Sequence, residues 1–156
     1  MDPAPLTIRA AHRGDVEALV GLEEATFDYD LLSARSFRHH ATSPSSVLLV
    51  AEDATGLAGY ALMLQREGSR TARLYSLAVA RRCRGQGIGA RLMEAIEMAA
   101  RARGVGRLTL EVKVDNRSAL ALYERRGYRV FGRHDDYYDD GSDALRLEKI
   151  LSPPAR

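Results

Sequence analysis

Residues 84–90 read Arg-Gly-Gln-Gly-Ile-Gly-Ala, between a short apolar run at 74–79 and a segment whose apolar residues recur at helical spacing. A strand, a glycine-rich loop and a helix N-terminus in that order form a receptor for a phosphate group. The first N–H groups of the helix are free, its dipole is positive at that end, and glycine lets the backbone close on an anion. The other reactive side chains offer less. Cys83 is the lone cysteine, so no internal disulfide can form and a reducing compartment is expected. Its neighbours Arg81, Arg82 and Arg84 favour a thiolate, but a surface thiol without a role is the expectation. His12, His39, His40 and His134 lack metal-ligand spacing, so no metal is expected. His39 and His40, next to Arg38, read as an exposed helix face.

These groups need elements to position them. Residues 6–9 read as a first strand. Over 15–27, Val16, Leu19, Val20, Leu22 and Glu23 fall at helical spacing, and a second short helix is expected over 34–40. Pro44 with flanking serines marks a loop. Strands follow at 47–51 and 59–64 around the turn Asp53-Ala54-Thr55-Gly56, and again at 73–79. The helix after the glycine loop should cover 87–103, with Ile88, Leu92, Ile96 and Ala99 inward and Arg91, Glu94, Glu97 and Arg101 outward. Leu108, Leu110, Val112 and Val114 alternate with Thr109, Glu111 and Lys113, a strand with one apolar face. Asn116 is placed to cap a helix reaching about residue 126, and Gly127 suits its C-terminal cap. Strands at 128–132 and 144–150 complete the chain. Alternating helices and strands, with antiparallel hairpins at both ends, predict an α/β fold on a mixed, mostly antiparallel sheet flanked by helices.

With 156 residues and 46% hydrophobic content, one domain over 1–156 can bury its own core, leaving 1–5 and 152–156 as loose tails. No apolar run approaches a membrane span, and the first residues lack the layout of a secretory signal, so a cytoplasmic protein without membrane contact is expected. A net charge of +2, with no basic stripe interleaved with aromatics, gives no case for a nucleic-acid partner.

Gly85, Gly87 and Ala90 fit a G-x-G-x-x-G/A dinucleotide fingerprint, with Glu111 near the distance of a ribose-binding acid. The context does not fit. Residues 80–84 separate the loop from its strand, Glu111 falls in mid-strand, and too little chain follows for the rest of that fold. The stretches SLAVARRCRGQGIGARLM and LTLEVKVDNRSALALYERRGY instead resemble the GNAT superfamily of acetyl-CoA-dependent N-acetyltransferases. The R/Q-x-x-G-x-G/A signature falls on Arg84, Gly87 and Gly89. The N-x-x-A-x-x-L-Y-x-x-x-G-[FY] helix falls on Asn116, Ala119, Leu122, Tyr123, Gly127 and Tyr128. Within the superfamily, LEVKVDN and YYDDGSDALRLEK look like the protein N-terminal acetyltransferases, of the bacterial ribosomal-protein-alanine type.

The resemblance implies a GNAT fold and acetyl-CoA as co-substrate. Its pyrophosphate would lie on the backbone of Arg84, Gly85, Gln86, Gly87, Ile88, Gly89 and Ala90, where a side chain at Gly87 or Gly89 would obstruct the approach. Its pantetheine arm would pair with the strand edge at Leu77, Ala78 and Val79 and reach Asn116, with the Val79 N–H facing the thioester oxygen. Glu111 would serve as base, directly or through water, and Tyr123 as the acid that protonates the departing thiolate. Cys83 would lie away from the thioester. Tyr137 and Tyr138 would clamp a peptide, with Phe27, Tyr29 and Leu31 as the opposite wall, although Asp28 and Asp30 depart from a mostly apolar wall. The implied acceptor is a protein N-terminal α-amine, reached by direct attack in a ternary complex. The alternatives are a small amine or protein lysine as acceptor, or a CoA-binding module without catalysis.

Overall fold

Where apolar residues recur at every second position the chain forms strands, and where they recur at three and four it forms helices. A computed structural model describes residues 5–28 and 30–152; Tyr29 and most of the expected tails lie outside the described residues. The strands are β1 (Thr7–Ala10), β2 (Ser46–Asp53), β3 (Gly56–Gln65), β4 (Thr71–Val79), β5 (Arg107–Lys113), β6 (Arg129–His134) and β7 (Ala144–Ile150). They form a seven-stranded sheet in the order β1-β2-β3-β4-β5-β7-β6. Only β4 and β5 pair in parallel; the other neighbours are antiparallel. The helices are α1 (Val16–Thr26), α2 (Ala34–Thr42), α3 (Ile88–Ala102) and α4 (Arg117–Arg125).

The helices divide the core between the two faces of the sheet. Leu19, Leu22 and Phe37 of α1 and α2 pack on Leu48, Val50, Tyr60 and Leu62. Ile88, Leu92 and Ile96 of α3 pack on Ala61, Met63, Leu74 and Leu108. β2 and β3 are therefore covered on both sides, and each fully buried leucine or isoleucine contributes on the order of 2 kcal/mol through the water it sheds. α1 starts after a 3-10 turn, Arg13–Asp15, which His12 and Asp15 cap reciprocally. Asn116 caps α4 as expected, its Oδ1 accepting the Ala119 N–H at 3.2 Å. Gly127 follows the helix with φ +93, the left-handed turn that glycine adopts without a Cβ penalty.

Three expectations about exposure are overturned. Glu97, expected outward on α3, is 1% exposed. Arg126 and Lys149 donate to its Oε1 at 2.9 and 2.8 Å, and the Tyr128 hydroxyl donates to Oε2 at 3.0 Å. A carboxylate can be buried on that face because α4 and β7 bring it cations. His40 is half-buried, not exposed: its Nδ1 lies 2.7 Å from Ser46 Oγ, and desolvation lowers its basicity. Cys83 is buried, not a surface thiol. Burial pushes its pKa up, so the arginines around it do not make a reactive thiolate.

Two irregularities open the centre of the sheet. β4 and β5 pair only from Thr71↔Arg107 to Arg73↔Thr109, and beyond those residues the two strands diverge. Across from β5, the register of β3 on β4 slips between Leu62↔Ser76 and Met63↔Leu74, which leaves Tyr75 as an unpaired bulge. A bulge shifts the phase of the side chains by one. Ala72 and Leu74 thus face α3, while Ala78, four residues after Leu74, faces α1 and α2.

Candidate active site

The divergence of β4 and β5 leaves a strand edge bare. Ala80 donates its N–H to Ala58 O at 2.8 Å. Amide direction alternates along a strand, so Ala78 and Ser76 also turn toward β3. The N–H and C=O groups of Leu77 and Val79 point the other way, into the gap. From there a continuous cleft of about 1140 Å³ runs past the glycine loop and on between two loops, 27–33 and 135–143.

The glycine loop meets the cleft as the sequence suggests. Arg84, Gly85, Gly87, Ile88 and Gly89 line it; Gln86 and Ala90 do not, and neither does the buried Ala78. Glycine is needed here for reasons other than clearance for a ligand alone. Gly85 and Gly87 have φ of +81 and +76, and Gly87 is the N-cap of α3. A Cβ on Gly89 would come within 3.2 Å of Leu122 Cδ2, so this glycine lets α3, α4 and β4 converge. The free N–H groups of the first turn of α3 then face the cleft beside the Arg84 side of the loop.

Tyr123 projects from α4 into the middle of the cleft and is 7% exposed. Its ring stacks edge-on against Tyr128 at 5.8 Å. Burial, and then the neighbouring Tyr138, raise its pKa, so the phenol stays protonated. Asn116, Leu77 and Val79 line the same stretch.

At the other end the side chains interlock. Glu111 Oε2 accepts from Arg73 Nε at 2.8 Å, and Arg146 Nε lies 3.7 Å from its Oε1. Arg73 also donates to the Tyr137 hydroxyl at 2.5 Å. Tyr137 stacks edge-on against Tyr138 at 4.9 Å, and Lys113 Nζ lies over Tyr138 and donates to Asp140 at 2.6 Å. Phe27, Asp28, Asp30 and Leu31 form the facing wall. Asp30 meets Asp139 across the mouth, and desolvation together with that second carboxylate raises its pKa. Tyr29, expected on this wall, lies outside the described residues.

The sequence reading missed a further group at this end. The Tyr60 hydroxyl donates to Glu23 Oε1 at 2.5 Å and lies 2.7 Å from Ser76 Oγ, and Glu23 Oε2 accepts the Leu32 N–H at 2.8 Å. Glu23 and Ser76 line the cleft. A signal was present: Glu23 falls on the apolar stripe of its helix, where a carboxylate needs a buried partner.

A parallel pair of strands that part mid-sheet, a phosphate-type loop at the start of the next helix, and a buried phenol between them define a group-transfer cleft of the acetyltransferase kind. Residues 16–128 match the Acetyltransferase (GNAT) family, and the chain belongs to it. It is 32% identical over 158 aligned positions to the N-alpha-acetyltransferase RimI of Mycobacterium tuberculosis, covering 99% of this chain and 98% of the relative. Over 77 residues, about half of each chain, it is 40% identical to N-alpha-acetyltransferase 30 of Schizosaccharomyces pombe. The crystal structure of the ribosomal-protein-S18-alanine N-acetyltransferase of Escherichia coli superposes with a TM-score of 0.85 at 25% identity, covering 97% of each chain. The GNAT expectation is thereby confirmed, and the chain is an acetyltransferase. Among the described residues no group of side chains is placed to hold a metal, and no helix is long and apolar enough to cross a membrane.

Proposed function

We propose that the protein transfers the acetyl group of acetyl-CoA to a protein N-terminal α-amine, by direct attack with both substrates bound, in the cytoplasm. The carrying observation is the cleft, which joins a bare strand edge to a groove between two aromatic-bearing loops. The residues present fit the cofactor. The Leu77 and Val79 edge offers alternating donors and acceptors to the two amides of pantetheine, and the positive-φ glycines leave open backbone for a pyrophosphate. The full-length likeness to an N-alpha-acetyltransferase supports the acceptor class.

In this reading the Val79 N–H stabilises the oxyanion, a contribution worth about 3 kcal/mol for a well-placed donor. Tyr123 protonates the thiolate as the C–S bond breaks. Glu111 takes a proton from the attacking nitrogen, directly or through water, and Arg73 and Arg146 hold it in place. Asn116 keeps α4 against the pantetheine arm. Phe27, Tyr137 and Tyr138, with Tyr29, hold the first residues of the peptide. No nucleic acid, membrane or metal takes part.

The test is thiol release from acetyl-CoA with two acceptor panels, short peptides differing in residue one and small amines. Turnover confined to peptides with free α-amines is the expected result. Turnover with small amines alone overturns the acceptor and keeps the acetyl transfer. Binding of acetyl-CoA without turnover in either panel overturns the enzymatic reading.

A further inference from the structure

Four carboxylates line the acceptor end of the cleft, Asp28 and Asp30 on the facing wall and Glu23 and Glu111 on the sheet side, and the last two are held differently. Glu111 is bound by guanidinium groups. Glu23, 2% exposed, accepts only from neutral donors among the described residues, the Tyr60 hydroxyl and the Leu32 N–H. Its link to the cleft has a fixed direction. A phenol carries one proton, and that of Tyr60 goes to Glu23, so in the 2.7 Å contact with Ser76 the serine donates and Tyr60 accepts. Ser76 thereby commits its proton inward and shows the cleft only lone pairs, made more basic by the chain of hydrogen bonds behind it. Such a group accepts from an N–H and offers nothing to a carbonyl.

The backbone explains why Ser76 is there. The bulge at Tyr75 rotates Ser76 onto the face where Tyr60 stands, one residue before the bare edge at Leu77. In an unbroken strand Ser76 would share the face of Ala72 and Leu74 and look toward α3.

We propose that Ser76, Tyr60 and Glu23 form a proton relay that neutralises the incoming ammonium before attack. Ser76 touches the acceptor nitrogen, and Tyr60 and Glu23 are positioning residues that draw the proton inward. The nitrogen gives one proton to Ser76 Oγ as the serine proton passes to Tyr60 and the tyrosine proton to Glu23. The neutral amine then forms the N–C bond, the C–S bond breaks, and a second nitrogen proton goes to Glu111. Tyr123 supplies the thiol proton and regains one from solvent, Glu23 returns its proton to solvent by the reverse path and Glu111 releases its own directly, so each cycle frees one proton.

The inference rests on the acetyl-transfer reading but not on which amine is the acceptor. The experiment therefore uses whichever panel amine the wild-type enzyme turns over fastest, so a small-amine acceptor overturns the α-amine reading and leaves this comparison intact. Tyr60→Phe and Ser76→Ala are expected to lower kcat/KM for the amine at pH 7 by about tenfold or more, with the acetyl-CoA KM unchanged. The deficit should close as pH rises past the ammonium pKa of the acceptor, about 8 for an α-amine. Ser76→Thr, which keeps the hydroxyl, should restore most of the rate. Rates within about twofold of wild type for Ser76→Ala, or a deficit that persists unchanged to high pH, would overturn the relay. Ser76 is half-buried on the cleft wall, so its variants decide the matter even if Tyr60→Phe fails to fold.

Discussion

On the proposed reading, the donor and acceptor halves of the cleft are built from different parts of the chain's chemistry. The donor half offers backbone: the amide edge of Leu77 and Val79, and the loop of Gly85, Gly87 and Gly89 ahead of α3. The acceptor half offers side chains held by one another, Arg73 to both Glu111 and Tyr137, and Tyr60 to both Glu23 and Ser76. Backbone recognition needs only the right local conformation, so a few neighbouring residues suffice. Side-chain recognition needs partners brought together by the fold: Arg73 and Tyr137 are 64 positions apart, Glu23 and Tyr60 37. A donor site made this way suits a cofactor common to many enzymes, and the acceptor site is where this chain can differ from its relatives.

If the two halves are separable, substitutions should sort by the substrate they affect. The largest effect belongs where they meet. Tyr123→Phe should lower kcat by about 100-fold or more, because in the proposed mechanism the phenol is the proton donor. Its Tm should stay within about two degrees of wild type, since the ring that stacks on Tyr128 is kept. Thermal melting alongside steady-state kinetics checks both.

Next comes a pair of opposed variants. Gly87→Ala places a Cβ on a left-handed backbone at a cost of about 1 kcal/mol, enough for about a fivefold rise in acetyl-CoA KM. Arg73→Met leaves Glu111 to Arg146 alone and removes the hydrogen bond to the Tyr137 hydroxyl, and should raise the acceptor KM by a similar factor while sparing that for acetyl-CoA. If either variant moved both constants equally, the division into halves would be broken.

The smallest effect is a pH dependence in the acceptor loop. Lys113, then Ser142, hold the Asp140 carboxyl at about 2, below its ordinary 3.8. A depressed carboxylate stabilises the fold above its unfolded pKa, and that contribution is lost as pH falls from 3.8 toward 2. Asp140→Asn should therefore lower Tm by about one degree at neutral pH. The gap between variant and wild type should vanish in acid, and a gap that survives at pH 2 would assign the loop's order to something else.

The same contrast explains what could be read from the sequence. The order of the strands and helices, the Asn116 cap, the Gly127 turn and the loop at 84–90 follow from local residue types and period. The fates of Glu97, Cys83 and His40 do not, because each depends on what another element delivers: Lys149 and Arg126, the packed core, and Ser46. The bulge at Tyr75 was also invisible. The run TARLYSLAV reads as an ordinary strand, and the phase slip arises only from its register with β3. Ser76 and Tyr60 were missed with it, since nothing nearby in sequence marks a serine and a tyrosine as partners.

A sheet ordinarily presents raw edges only at its two outermost strands, and such edges invite other chains to add to them. Here two more lie inside the sheet, where β4 and β5 part after Arg73 and Thr109. They sit at the floor of a walled cleft, so no second sheet can approach broadside, and the protein carries a permanently incomplete sheet without the aggregation hazard of an open one. The same walls act as a gauge of thickness. On the proposed reading, what enters is a slender cofactor arm and an extended chain end, and the chemistry belongs to ends and arms that protrude from whatever bears them.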